Sequence, residues 1–336
     1  MTRTGVWANA WLAVVGVPAV CVSLATAPAS AHATKTKDAV PAAQTAALWQ
    51  APTDLADRDL FAGPWAADRA PDPQATYTFV RPKRGGVNPG VVVRDERGRI
   101  WHVKQAPKNH QGEEGPVEVV LSRVLSAAGY KQPPVYYLPS FTLADDSGTH
   151  VVPGGRFRLE EPSMTSRGTW EWRRNPFVGT QPYKGLLVIL LVFNSWDLKD
   201  SNNTMYDVEE GGRVTRWYAV RDLGAALGET GRLAPKRNNI EEFERETFIS
   251  KVNGSFVEFK YSGWQPGLLR RTITIDDVQW AMRLLGGLSD RQWRDAFRAG
   301  GYSDDLSDRF IRKLKANISA GQQLAALDTP SRDERR

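Results

Sequence analysis

Hydrophobic periodicity changes once along this chain, and the order of its two patterns limits the folds open to it. From Thr76 to Glu161 short runs rich in β-branched and aromatic residues, bounded by turn residues, read as strands. The runs are "TYTFV" at 76–80, "VVVRD" at 91–95, "RIWHVKQ" at 99–105, "VYYL" at 135–138 and "RFRLEE" at 156–161. "RPKRGGVNPG" joins the first two, and Asp95 to Gly98 makes a tight turn. One helix interrupts the strands, with Pro116 at its first position and Gly129 as its stop. Val117, Val120, Leu121, Val124, Leu125 and Ala128 share one face of it. The first half therefore reads β-β-β-α-β-β.

After Gly179 the period lengthens. Gln181 to Ser195 reads as a buried helix, and "TMYDV" and "RWYAV" as two short strands around a turn at Gly211-Gly212. Further helices are expected near 240–247, 275–286, 289–299 and 304–325. Ser289 and Ser303 are good N-caps, the first with Gln292 at the capping-box offset. The fold class expected is α+β in two lobes. A small antiparallel β lobe with one helix takes residues 73–161, and a larger, mainly helical lobe takes 162–328.

The chain ends read differently. Arg3 precedes an apolar stretch, Trp11 to Leu24, too short and too lightly flanked for a stable membrane span, and "APASAHA" offers small-residue cleavage sites. Residues 1–31 are read as a signal peptide, which implies export to the periplasm, the cell surface or the medium. An anchor left uncut is the alternative; a lipoprotein would need a small residue before Cys21, where Val20 stands. Cleavage would remove the only cysteine, leaving no disulfide, thiolate metal site or cysteine nucleophile. Residues 32–72 read as a flexible leader followed by an ordered arm anchored by Leu48, Trp49, Leu55, Leu60, Phe61 and Trp65, and 329–336 as a frayed tail. No pair among His32, His102, His110 and His150 has metal-ligand spacing, and no Gly-x-Ser-x-Gly elbow is present. The net charge of +6 is spread over scattered pairs such as Arg173-Arg174 and Arg270-Arg271, which argues against a nucleic-acid surface.

The densest polar signal is "NSWDLKDSNNTMY", residues 194–206, at the end of the buried helix. It sets Asp197, Lys199 and Asn202 in one loop. Lys104 lies on the third strand, Glu118 in the first turn of the following helix, and Asp222 just after "RWYAV". Phosphoryl transfer asks for these residue types: a lysine for nucleotide phosphates, a carboxylate to orient it, two oxygen ligands for a divalent metal, and an acid beside the incoming hydroxyl. Each residue also has a plainer reading. Lys104 could be a snorkelling edge-strand lysine, Glu118 could cap its own helix, 197–203 could be an Asx-rich turn, and Arg81, Lys83 and Arg84 could be a solvated hairpin. Their joint order on these elements is what the plainer readings leave unaccounted for.

These residues resemble the protein-kinase-like superfamily, in order from "FVRPKRGGVNPG" to "DLGAALG". "DLKDSN" matches the catalytic-loop spacing and "DLG" stands where that family carries Asp-Phe-Gly. "WHVKQ" looks like the strand with the phosphate-binding lysine, and "PVEVVLSRVL" like the helix with its glutamate partner. Ser195-Trp196 replaces the usual His-Arg, "RPKRGGVNPG" is not Gly-x-Gly-x-x-Gly, and no Ala-Pro-Glu segment follows. The resemblance is therefore to the atypical branches, phosphoinositide-kinase-like and secreted-kinase-like.

That resemblance implies a two-lobed kinase-like fold with its site in the cleft. Lys104, oriented by Glu118, would hold the phosphates of ATP; Asn202 and Asp222 would bind Mg²⁺ or Mn²⁺. Asp197 would take the proton of an acceptor hydroxyl on protein, sugar or lipid, and Lys199 would neutralise charge on the transferred group. A pseudokinase-like binding module is the alternative, because an exported protein meets little ATP. A metal-dependent hydrolase built on Asp197 and Asp222 lacks histidine ligands.

Overall fold

In a computed structural model the described residues are 45–65, 67–86, 88–107, 113–231 and 235–325. The expected signal peptide, most of the leader, His110 and the tail lie outside them. Five strands close into a barrel: β2 (Thr76–Pro82), β3 (Gly90–Arg94), β4 (Ile100–Gln105), β5 (Val135–Asp145) and β6 (Gly148–Leu159), in the order β2-β3-β4-β6-β5. Alternation sends Tyr77, Val93, Trp101, Val103, Phe141 and Phe157 inward. Edge-on rings fill the interior, Phe141 and Phe157 meeting at 5.1 Å and 89°. The closing pair, β2 with β5, is parallel, so the lobe expected to be antiparallel has one parallel seam.

Sequence periodicity found only the two ends of the β5–β6 hairpin. Pro139, Pro153, Gly154 and Gly155 interrupt the alternation, yet the glycines are needed for close strand approach. A Cβ on Gly154 would run into the Leu138 carbonyl, and one on Gly155 into the Lys104 carbonyl.

The barrel carries one helix, α1 (Glu114–Ala127), buried along its whole length except at Glu114. It begins two residues before the expected start. Pro116 falls at the third helical position, where its missing N–H still costs nothing because no carbonyl lies a turn before it. One side of α1 meets β5 and β6 and the other meets α5 (Asp290–Ala299). The N-terminal arm fixes its far end: Arg58 Nη1 donates to the Ser126 carbonyl at 2.7 Å and Trp49 Nε1 to that of Ala128 at 2.7 Å. Gln292 Nε2, from the first turn of α5, holds the arm through the carbonyls of Leu55 and Arg58.

The larger lobe packs around α2 (Gln181–Val192), apolar on every side and buried from Gly185 onward. α4 (Ile275–Gly286) and α6 (Asp304–Gln322) pack on it, and α3 (Ile240–Arg245) and α5 pack on α6. The Ser289–Gln292 capping box is present, and an unforeseen one, Thr274–Asp277, starts α4; Ser303 makes no side-chain cap. A second sheet runs β1-β9-β8-β7: the arm's β1 (Thr45–Ala47), β9 (Arg213–Val220), β8 (Asn203–Glu210) and β7 (Met164–Ser166). Another hairpin, β10 (Ile249–Asn253) with β11 (Phe256–Phe259), was not foreseen. The fold is thus α+β and two-lobed, a β-barrel lobe with one helix and a mainly helical lobe. No helix among the described residues is long and apolar enough to cross a membrane.

Candidate active site

Between the lobes lies a cleft of about 1380 Å³ whose walls include Lys104, Asp197, Lys199, Asn202 and Asp222. Two local rules of geometry bring these together. The first is the alternation of β4: Trp101 and Val103 enter the barrel, so His102 and Lys104 face the cleft. The second is the register of the β8–β9 hairpin. Asn203 pairs with Val220, so the residues just outside, Asn202 and Arg221, come together; Arg221 N donates to the Asn202 carbonyl at 2.8 Å. Asn202 and Asp222 are neighbours for that reason alone.

The Lys104 ammonium sits among three carboxylates, Glu114 Oε2 at 2.6 Å, Asp222 Oδ1 at 2.9 Å and Glu118 Oε2 at 3.3 Å. Its side chain is 8% exposed on an interior strand, so it is not a snorkelling edge lysine. Glu118, 1% exposed, turns its other oxygen to Arg156 Nε at 2.9 Å and does not cap its helix. Glu114 is held in turn by Arg237 and by Asn88 Nδ2. Three cations and three carboxylates thus form one balanced network, buried except at Asp222. Burial pushes the Lys104 ammonium down, but Glu118, Asp222 and Glu114 outweigh it and raise it well above the ordinary lysine value. Asp222 goes the other way. Loss of water pushes it up, while Lys104, by charge and hydrogen bond, and then Arg156 and Arg221 hold it far below the usual carboxylate range. The Asp222 side chain is 46% exposed, so its carboxylate stays open to the cleft.

The loop after α2 is fixed before any ligand arrives. Asn194 takes φ 54° just past the helix end. Its N–H bonds to the Leu191 carbonyl and that of Ser195 to Leu190, a Schellman closure with asparagine in the left-handed position. Asn194 Nδ2 also donates to the Gly228 carbonyl at 3.0 Å. Asp200 Oδ1 accepts from Trp172 N at 2.8 Å and Gln265 Nε2 at 3.1 Å, so this second aspartate is an anchor. Asp197, 19% exposed, pairs with Lys199 Nζ at 2.8 Å, and that ammonium lies 4.6 Å from the Trp264 ring centre. Lys83 is not a free surface charge: Nζ donates to the Gly85 and Asn88 carbonyls, closing its own loop.

The polar donors fit a hard divalent cation that arrives with phosphate. Asn202 Nδ2 donates to the Asp197 carbonyl at 2.6 Å, which leaves Oδ1 as its acceptor atom. With Asp222 that makes two oxygens, and among the described residues no three His, Cys, Asp or Glu side chains gather as a metal site. Mg²⁺ and Mn²⁺ accept such a partial set when phosphate oxygens and water complete it. Nine Arg or Lys side chains against three carboxylates line the cleft, which makes its walls strongly cationic.

Sequence reasoning missed Glu114, Arg156 and Arg237. Glu114 had a faint signal, an acid in the first turn of a helix already credited with another. Arg156 lay on an expected strand, but its face depended on the unseen register with Lys104. Arg237 had no local signal.

No protein-family model and no curated protein matches the sequence. Solved structures do resemble the chain. A Helicobacter pylori proinflammatory kinase, CtkA, aligns with a TM-score of 0.44 at 11% identity, covering 74% of this chain and 97% of its own. The Golgi casein kinase with Mn and ADP bound aligns with a TM-score of 0.39 at 10% identity, covering 81% of this chain and 74% of its own. A further Golgi casein kinase structure gives 0.37 at 10% identity, over 81% of this chain and 75% of its own.

Proposed function

We propose that the protein is an exported, atypical kinase-like phosphotransferase that moves a phosphoryl group from a nucleotide, ATP in the simplest case, to a hydroxyl acceptor. The observation that carries this reading is the meeting of Lys104, Asp197, Asn202 and Asp222 in one cation-rich cleft, with Lys104 locked by Glu118. Lys104 binds nucleotide phosphates, and Glu118 and Arg156 keep it aimed. Asn202 Oδ1 and the Asp222 carboxylate would hold Mg²⁺ or Mn²⁺, which would supply neutralising charge to phosphate oxygens. Asp197 orients the acceptor hydroxyl and takes its proton. The acceptor oxygen forms the new P–O bond as the bond from the terminal phosphorus to the bridging oxygen breaks, leaving the nucleoside diphosphate. Lys199, beside Asp197, offsets charge on the group in transit.

One observation favours a second reading, a binding module without catalysis. The three N–H donors of Lys104 already face three carboxylates, so a phosphate must displace one of them. A thermal-shift series with ATP and ADP, each with and without Mn²⁺, separates the two. Stabilisation by nucleotide that requires the metal supports phosphoryl transfer, whereas stabilisation by anions alone supports the module.

A further inference from the structure

Strand register places a second group of cations beside the first. On the cleft face of the barrel Lys104 pairs with Arg156, and two residues back His102 pairs with Arg158. The same cross-strand row runs from His102 through Val92 to Arg81 on β2. Two residues along a strand is roughly 7 Å, so this row lies one phosphate-width or more from the Lys104 ammonium. From the other lobe Arg221, next to Asp222, lines the same cleft.

The two rows differ in their counter-charges. Lys104, Arg156 and Arg237 have carboxylate partners, but Arg81, Arg158 and Arg221 make no ion pair among the described residues. Arg221 bonds to the Tyr206 hydroxyl and feels the charges of Asp222 and Glu118 without an ion-pair contact to either, and the nearby Glu160 is taken up by His102 Nε2 at 3.0 Å. Burial, and then the charges of Arg156 and Arg221, push the Arg158 guanidinium down to about 10, so it stays charged while being repelled by its neighbours. Burial likewise lowers His102 below its ordinary value, so at neutral pH this histidine adds no charge and can donate or accept. A guanidinium without an ion-pair partner, set among other cations as Arg158 is, gains from an anion that joins it to its neighbours.

We propose that Arg81, Arg158 and Arg221 form a second anion subsite in the cleft, separate from the Lys104 site and built for a phosphate group. That phosphate belongs either to a phosphorylated acceptor or to the far end of a polyphosphate donor. Both share the chemistry of a planar guanidinium clamping phosphate oxygens. The subsite does not depend on nucleotide binding, and its test is made without nucleotide.

Calorimetric titration of the full chain with sodium pyrophosphate, free of metal and at low ionic strength, provides the test. Wild type, Arg158→Gln and the Arg158→Gln/Arg221→Gln pair are compared. Each arginine removed should weaken pyrophosphate binding at this subsite about tenfold or more, the scale of a charge-assisted hydrogen bond. The melting temperature of Arg158→Gln in phosphate-free buffer should equal or exceed that of wild type, because the substitution relieves repulsion. Equal pyrophosphate affinity in all three proteins would overturn the subsite. So would a large fall in melting temperature for Arg158→Gln, which would make the arginine a structural residue. Repeating the titration with saturating ADP and Mn²⁺ assigns the phosphate: binding beside ADP gives it to the acceptor, and competition gives it to the donor. Loss of pyrophosphate binding in the arginine variants, with no ADP binding to wild type, would keep the subsite and remove the nucleotide reading.

Discussion

Replacing Glu118 by glutamine keeps its shape and removes one charge from the balanced network behind the cleft. The loss is shared unequally. Lys104 keeps Glu114 and Asp222 within 2.9 Å, whereas the guanidinium of Arg156, 4% exposed, keeps only the His102 carbonyl at 3.3 Å. Removing one partner of a buried pair costs about 3–5 kcal/mol. Because Lys104 is still compensated, the lower end applies, about 3 kcal/mol. At roughly 2–4 °C per kcal/mol for large domains this is a drop of about 6–12 °C in melting temperature. Differential scanning calorimetry of Glu118→Gln, Arg156→Gln and the double variant would measure it. The second substitution removes the cation that the first left stranded, so the double variant should be less destabilised than the sum, by about 1.5–3 kcal/mol. A fall below about 2 °C for Glu118→Gln, or strict additivity, would refute the idea that this charge network holds the site.

Acid stability should carry the mark of Asp222. Its folded value lies below its unfolded one, so its stabilising contribution is complete above about pH 4–5 and disappears as pH falls through the folded value. The melting difference between wild type and Asp222→Asn should therefore shrink on acidification, and a difference that grows would contradict the assignment. Asp200→Ala frees the loop from Trp172 N and Gln265 and should cost about 1–3 kcal/mol in urea melts. Nucleotide affinity should fall with it, although Asp200 is given no chemical role. Mass spectrometry of secreted protein should find a mature start near His32 or Thr34, with no thiol; an intact Met1 or a lipid on Cys21 would sink the export reading.

The parts of this site written locally could be read from sequence. Asp197, Lys199 and Asn202 share one short loop, and Asp222 is tied to them by a hairpin whose glycine turn is visible. Lys104 could be placed because Trp101 and Val103 mark the opposite face of its strand. What escaped depends on distance or disguise. Arg237 reaches Glu114 across 123 residues of sequence, and no pattern near either residue announces the contact. The long β5–β6 hairpin hides behind Pro139, Pro153 and two glycines that read as loop, yet the glycines are what let Leu138 and Lys104 approach so closely. The Asn253-Gly254 turn between β10 and β11 is a strong hairpin signal, but the strands beside it are short and only half apolar. The parallel pairing of Thr45–Ala47 on β9 joins parts of the chain too far apart for any window to find.

The central claim is that two aspartates in one cleft do different work, and calorimetry with a Mn²⁺–nucleotide beside a transfer assay tests it most directly. Wild type, Asp197→Ala, Asn202→Ala and Asp222→Ala form the set. Asp222→Ala should weaken metal–nucleotide binding and abolish transfer together, and Asn202→Ala should do the same more mildly. Asp197→Ala should bind nucleotide nearly as wild type does while transfer falls by about 10²-fold or more, the scale of a lost general base. Equal nucleotide affinity across all four proteins would contradict the account, leaving "DLKDSNN" as a turn in a cleft built for some other anion.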